Sequence, residues 1–161
     1  MSAHGAQPQF RKAQMADVKV IQRLINDAAG HDEMLPRSLS DIYEKLRDFH
    51  VCASDDGLLG CCALHVVWDG IAEIRSLAVD ARRRNAGIGK GLMDRCLAES
   101  RSLGVDKVFA LTYIPAYFER AGFNEVSKDI LPHKIWSDCV NCPKFPDCGE
   151  VAMMLSRDDA E

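Results

Sequence analysis

The apolar residues of this chain change their period several times, and each change predicts an element. Residues 10–14, FRKAQ, predict a short opening strand. Val18, Ile21, Leu24, Ile25 and Ala28 then recur at helical spacing and predict an amphipathic helix. Pro36 breaks what precedes it. Ser38 or Ser40 caps a second, short helix carrying Ile42, Leu46 and Phe49. Residues 50–79 read as three strands, with Asp56-Gly57 and Asp69-Gly70 as hairpin turns. A helix through Leu92, Met93, Cys96 and Leu97 follows and ends near Gly104. KVFALT is a buried strand. PAYFERAGF is a helix opened by Pro115 and closed by Gly122, and NEV and EVAMMLS are the last strands. The order is strand, two helices, three antiparallel strands, helix, strand, helix, two strands. It predicts an α/β fold of the α+β type: one domain with a central mixed, mostly antiparallel sheet and helices on both faces. Residues 1–9 are expected to form a flexible N-terminus, 10–156 the domain with a cysteine-bearing insertion at 128–149, and 157–161 a C-terminal tail.

Composition narrows the function classes. A length of 161 residues suffices for a real core. A net charge of −4 lacks the basic surplus of a nucleic-acid binder, so no nucleic acid partner is expected. No apolar run approaches the roughly 20 residues that cross a bilayer, so no membrane partner is expected either. The polar N-terminus has no apolar signal region, and a cytoplasmic location is expected. The seven cysteines then read as reduced thiols or metal ligands rather than disulfides.

Residues 77–93, LAVDARRRNAGIGKGLM, begin as a strand and end as a helix, with three arginines and a G-x-G between. A helix N-terminus carries unpaired N–H groups and partial positive charge. Glycines let an anion approach that backbone, and arginines add donors. A G-x-G by itself is more often a plain turn. The strand–loop–helix context and the arginine cluster turn the reading of Arg84-x-x-Gly87-x-Gly89 toward a diphosphate cradle. It is neither a Walker A motif nor a G-x-G-x-x-G dinucleotide fingerprint.

AEIRSLAVDARRRNAGIGKGLM resembles the acetyl-coenzyme A signature of the GNAT family of N-acetyltransferases, and the order of elements resembles that family over residues 10–127. The resemblance implies that Arg84 and the amides of Asn85, Ala86, Gly87, Ile88, Gly89 and Lys90 bind the pyrophosphate of acetyl-CoA. It implies that Leu77 and Val79 pair with the pantetheine arm as an added strand. The Leu77 amide would then stabilise the thioester oxyanion. Glu73 occupies the position where many members place a general base. Its other reading is a solvent-facing strand carboxylate, or one paired with Arg75 on the same face. The family often has a general-acid tyrosine where this chain has Phe118, which leaves Tyr117 and Tyr113 as candidates. A coenzyme A thiolate leaves readily without an acid.

FALTYIPAYFERAGFNEVSKDILP resembles one branch of the family, the bacterial N-acetylglutamate synthases, in the short form without an amino-acid kinase domain. That resemblance implies transfer of acetyl to the α-amino group of L-glutamate, the first step of arginine synthesis. Direct attack in a ternary complex is expected, because no cysteine sits in the nucleophile context of a ping-pong route. Arg37 in MLPRS would bind substrate; its other reading is a surface arginine beside a helix cap. Arg75 is a second candidate, and Lys134 or His133 a third for the other carboxylate. The acceptor is otherwise another small amine or a protein N-terminus. A homodimer is common for such folds. Cys139, Cys142 and Cys148 with His133 have spacing suited to zinc, against a loop of free thiols. That loop leaves open a reading from another class, a non-catalytic sensor of coenzyme A or metal. Cys52, Cys61, Cys62 and Cys96 read as small core residues, and His65 as a core or pocket histidine.

Overall fold

The computed structural model describes residues 8–30, 36–83, 86–131 and 150–157. Seven strands run through them: β1 (Gln9–Lys12), β2 (Phe49–Ser54), β3 (Gly57–Trp68), β4 (Ile71–Val79), β5 (Lys107–Thr112), β6 (Asn124–Val126) and β7 (Val151–Ser156). Four α-helices accompany them: α1 (Val18–Gly30), α2 (Leu39–Glu44), α3 (Ile88–Ser102) and α4 (Pro115–Arg120). Hydrogen-bonded neighbours follow the order β1-β2-β3-β4-β5-β7-β6. The β1–β2, β2–β3, β5–β7 and β6–β7 pairs are antiparallel and β4–β5 is parallel, so the sheet is mixed and mostly antiparallel. A parallel pair needs a long crossover, and α3 supplies it between β4 and β5. That connection makes the end of β4 run into the start of α3.

The chain divides into two compact units, Met1–Leu64 with Ile74–Glu99 and His65–Glu73 with Ser100–Glu161. In the first, α1 turns Val18, Ile21, Ile25 and Ala28 inward, three or four residues apart, onto Ile42, Phe49, Val51, Cys61, Ala63 and Ala78. Its entry is tied by Arg11, whose Nη1 and Nη2 donate to Asp17 Oδ2 (2.7 Å) and Oδ1 (3.1 Å). Ser38 is the cap of α2: its Oγ accepts from the Asp41 amide at 3.1 Å, which decides between the two serines. Ile88, Leu92, Met93 and Cys96 form the buried stripe of α3. Gly91 sits under the Phe10 ring of β1, where a side chain would collide with it. The four cysteines outside the late segment, Cys52, Cys61, Cys62 and Cys96, are all buried core residues.

In the second unit, β5 pairs along its whole length with β7, from Lys107↔Ser156 to Thr112↔Val151. Val67, Phe109, Leu131, Ala152 and Met154 make its core. Pro115 opens α4, and Phe118 packs edge-on against Phe123 (5.3 Å between centroids). The second helix, expected to carry Leu46 and Phe49, stops at Glu44: Leu46 lies in a 3-10 turn, and Phe49 opens β2, paired with Ala63. Two strands also differ in their bounds from the reading of the sequence. β1 starts at Gln9, which pairs with Ala53. The first hairpin turns on Asp55 and Asp56, and Gly57 already belongs to β3, paired with Ser54. The pairing register, invisible to local turn chemistry, sets both.

Candidate active site

The strand–turn–helix passage is built as follows. β4 ends at Val79, and the Asp80 amide donates to the Leu59 carbonyl at 2.8 Å, holding the exit of β4 against β3. A 3-10 turn, Ala81–Arg83, follows. Asp80 organises it, accepting from the Arg82 amide (3.0 Å) and from the Arg82 guanidinium (3.0 Å). Arg83 reaches Asp56 at 3.3 Å. Gly87 has φ +79 and a solvent-exposed backbone, and its carbonyl accepts the Gly91 amide at 3.0 Å, the first helical bond of α3. A side chain at Gly87 would meet nothing within 4 Å. The glycine is therefore required by its left-handed backbone and not by crowding. Ile88 is buried and anchors the helix start. The amides of the first helical turn have no acceptor within the helix and are presented with its positive end. The Lys90 side chain lies along the helix surface, paired with Asp94 at 3.0 Å. Arg84 and Asn85 lie outside the described residues.

β4 itself carries a local distortion. Ser76 has φ +56, a left-handed backbone in the middle of a strand, which strands take up at bulges. The residue that follows is Leu77. Two groups hold Ser76: Arg37 Nη1 donates to its Oγ at 2.9 Å, and Cys61 Sγ donates to its carbonyl at 3.4 Å. Arg37 is itself pinned. Its Nε donates to Asp41 Oδ2 at 2.6 Å, and its guanidinium lies over the Phe49 ring, 5.1 Å from the centroid. Its backbone amide donates to Asn26 Oδ1 and its carbonyl accepts from Gln22 Nε2, each at 3.3 Å. The Arg37 side chain is only 11% exposed, so the surface-arginine reading does not hold. Burial works to raise the Asp41 carboxyl, but the hydrogen bonds from Arg37 and Lys45 and their charges outweigh it and lower it to about 2. Asp41 is a carboxylate at neutral pH. Burial pushes the Cys61 thiol up to about 12, so it stays protonated and able to donate.

Glu73 is 6% exposed, buried where a solvent-facing carboxylate was one expectation. It stands opposite Phe109 in the β4–β5 register. Arg75, Leu77 and Val79 are half-buried on the same strand. Tyr113 and Tyr117 are half-buried, and Tyr117 packs edge-on against Phe118. His65 is half-buried near the end of β3. Lys134, His133, Cys139, Cys142 and Cys148 lie outside the described residues. Among the described residues no group of His, Cys, Asp and Glu side chains could hold a metal ion. Sequence reasoning missed Asp41 and Ser76. Asp41 had a signal, a carboxylate four residues after Arg37 on a short helix. Ser76 had none.

A mixed sheet whose β4 delivers the chain into a glycine-opened helix leaves amides without a helical acceptor at the helix start, where an anion can bind. The chain is an acetyltransferase and belongs to the acetyltransferase (GNAT) family, whose model matches residues 17–123. It is 43% identical to an uncharacterised N-acetyltransferase of Chlorobaculum tepidum over 89% of this chain and 93% of that one. It is 38% identical to an amino-acid acetyltransferase of Mycobacterium tuberculosis over 74% of this chain and 70% of that one. Its fold is similar to N-acetylglutamate synthase from Neisseria gonorrhoeae, solved with coenzyme A and N-acetyl-glutamate. That match has a TM-score of 0.85 and 25% identity over 94% of this chain and 35% of that one. Among the described residues no helix is long and apolar enough to cross a membrane.

Proposed function

We propose that this acetyltransferase moves the acetyl group of acetyl-CoA onto the α-amino group of a small amino acid, L-glutamate first among them. The observation that carries the reading is the glycine-opened start of α3 directly after β4, with Gly87 at φ +79. It supports a diphosphate seated on the amides of Ala86, Gly87, Ile88, Gly89 and Lys90. Arg84 and Asn85 complete that loop in the chain. The pantetheine arm then runs along β4 at Leu77 and Val79 as an added strand.

The amine nitrogen attacks the thioester carbonyl carbon directly. The carbonyl oxygen takes up negative charge, which the Leu77 amide stabilises. The C–S bond breaks, the coenzyme leaves as thiolate, the nitrogen gives up its extra proton to water, and the amide product forms. An ammonium must first lose a proton, and Glu73 accepts it directly or through water. A buried carboxylate on the donor strand suits that task better than a solvated one. Arg37 and Arg75 are the cations for the acceptor carboxylates. Similarity to an amino-acid acetyltransferase and to an N-acetylglutamate synthase supports glutamate, and with it a place at the start of arginine synthesis.

The test is release of free thiol from acetyl-CoA in the presence of single acceptors. L-glutamate is expected to give the highest kcat/KM in a panel of amino acids, polyamines and short peptides. Turnover confined to a polyamine or a peptide N-terminus would overturn the choice of acceptor. No heat of binding from coenzyme A in calorimetry would overturn the cradle itself.

A further inference from the structure

Ser76 is an anomaly that the reaction scheme does not by itself require. An L-residue other than Gly, Asn or Asp seldom takes a left-handed backbone, because its Cβ crowds the carbonyl that follows. Such a conformation persists only where the surroundings impose it. Here both polar ends of Ser76 are held, the hydroxyl by Arg37 and the carbonyl by Cys61. Arg37 is held in turn by Asp41, by the Phe49 ring and by two side chains of α1. The chain of contacts therefore runs from the start of α2 to the residue immediately before Leu77.

We infer that Arg37 is a positioning residue: its hydrogen bond to Ser76 Oγ, braced by Asp41, fixes the left-handed bend that aims the Leu77 amide at the thioester oxygen. This rests on the reading of Leu77 as the oxyanion donor. Arg37 then has two tasks that separate kinetically. As a carboxylate binder it sets the KM of the acceptor. As the clamp on Ser76 it sets kcat, because an oxyanion donor acts on charge that develops in the transition state. A guanidinium has five N–H donors, and two are committed among the described residues, so both tasks fit one side chain. An acceptor carboxylate landing on Arg37 would touch the group that already holds the bend.

The test is a double-mutant cycle in the full chain, made with acetyl-CoA and the best acceptor of the panel. Arg37→Gln is expected to lower kcat by about tenfold, less than the roughly 100- to 1,000-fold for an oxyanion donor removed outright, because the Leu77 amide is displaced and not lost. Ser76→Val, whose branched side chain resists a left-handed backbone, is expected to fall at least about tenfold below Ser76→Gly, whose backbone can keep the bend. In the Ser76→Gly background there is no hydroxyl to hold. Arg37→Gln should then lower kcat by less than about twofold while still raising the acceptor KM. An equal loss of kcat in both backgrounds would overturn the clamp. A second readout needs no turnover and covers variants that fold poorly. The intraresidue amide–Hα nuclear Overhauser effect of Ser76 is strong for a positive φ. It should be strong in the native chain and weaken in Arg37→Gln and Asp41→Asn, and its persistence at full strength in both would overturn the proposal. If the native chain transfers acetyl to no acceptor, the proposed function fails, and the Overhauser measurement still decides whether Arg37 holds the bend.

Discussion

Glu73 is buried on β4, and its value as the proposed base depends on the acceptor arriving protonated. Replacing it by glutamine keeps the shape of the side chain and removes the proton acceptor. Glu73→Gln is expected to lower kcat by about a hundredfold or more near neutrality, with the KM for acetyl-CoA little changed. The sign of the pH dependence follows from the acceptor. As pH rises, a larger fraction of the amine is already neutral, the need for a base falls, and the variant recovers toward the native rate. A pH–rate profile parallel to the native one at every pH would remove Glu73 from the mechanism. At this scale the sequence named candidates where a resemblance to a family motif placed them. Glu73 and Leu77 came from that resemblance, and Gly87 also from the strand–loop–helix pattern around it. Ser76 was not named, because serine is unremarkable in a strand and its left-handed backbone is imposed by Arg37 and Cys61, thirty-nine and fifteen residues away in sequence. Arg37 was legible as a candidate but not in its partners. The bond to Asp41 is local, whereas those to Ser76 and Phe49 exist only once the sheet has formed.

The elements were more legible than the contacts between them, since each is written in a local period. The α1 stripe, the second hairpin turn at Asp69-Gly70 and the Pro115 start of α4 all lie where spacing and turn chemistry put them. α3 shows where that kind of reading stops. Gly87, just before it, and Gly91, within it, look alike in the sequence and are required for different reasons. Gly87 has open space around it and a left-handed φ, whereas Gly91 has helical backbone and the Phe10 ring where a side chain would stand. Substitution should therefore divide two properties between them. Gly87→Val strains the turn by about 1–2 kcal/mol and displaces the first amides of α3, so coenzyme A affinity is expected to fall roughly tenfold. Gly91→Ala must push α3 from β1 or rotate Phe10, at a cost of roughly 1–3 kcal/mol, so its urea midpoint is expected to drop. Calorimetry with coenzyme A and urea unfolding of both variants check the division. An unshifted urea midpoint for Gly91→Ala would show that the ring yields freely.

Over the whole molecule, charge and cradle work against each other. The chain carries a net charge of −4, and so repels an anionic coenzyme at long range. The approach to α3 carries the opposite sign locally, in Arg82, Arg83 and the helix's positive end, although Arg82 is paired with Asp80 and Arg83 with Asp56. Arg82 and Arg83 are exposed, and interactions between exposed charges weaken with salt because the screening length falls from roughly 10 Å at 0.1 M to 3 Å at 1 M. Backbone amides meeting a phosphate at hydrogen-bond distance are screened far less. Salt therefore separates the two contributions. The KM for acetyl-CoA is expected to rise several-fold between about 0.05 and 0.5 M potassium chloride, and Arg83→Gln to flatten that rise. Asp56→Asn should act in the opposite direction and lower the KM at low salt, because it releases Arg83 from its carboxylate. A KM that stays level with salt in the native chain and in both variants would show that the amides of α3 hold the diphosphate unaided, with the arginines serving only the turn before it.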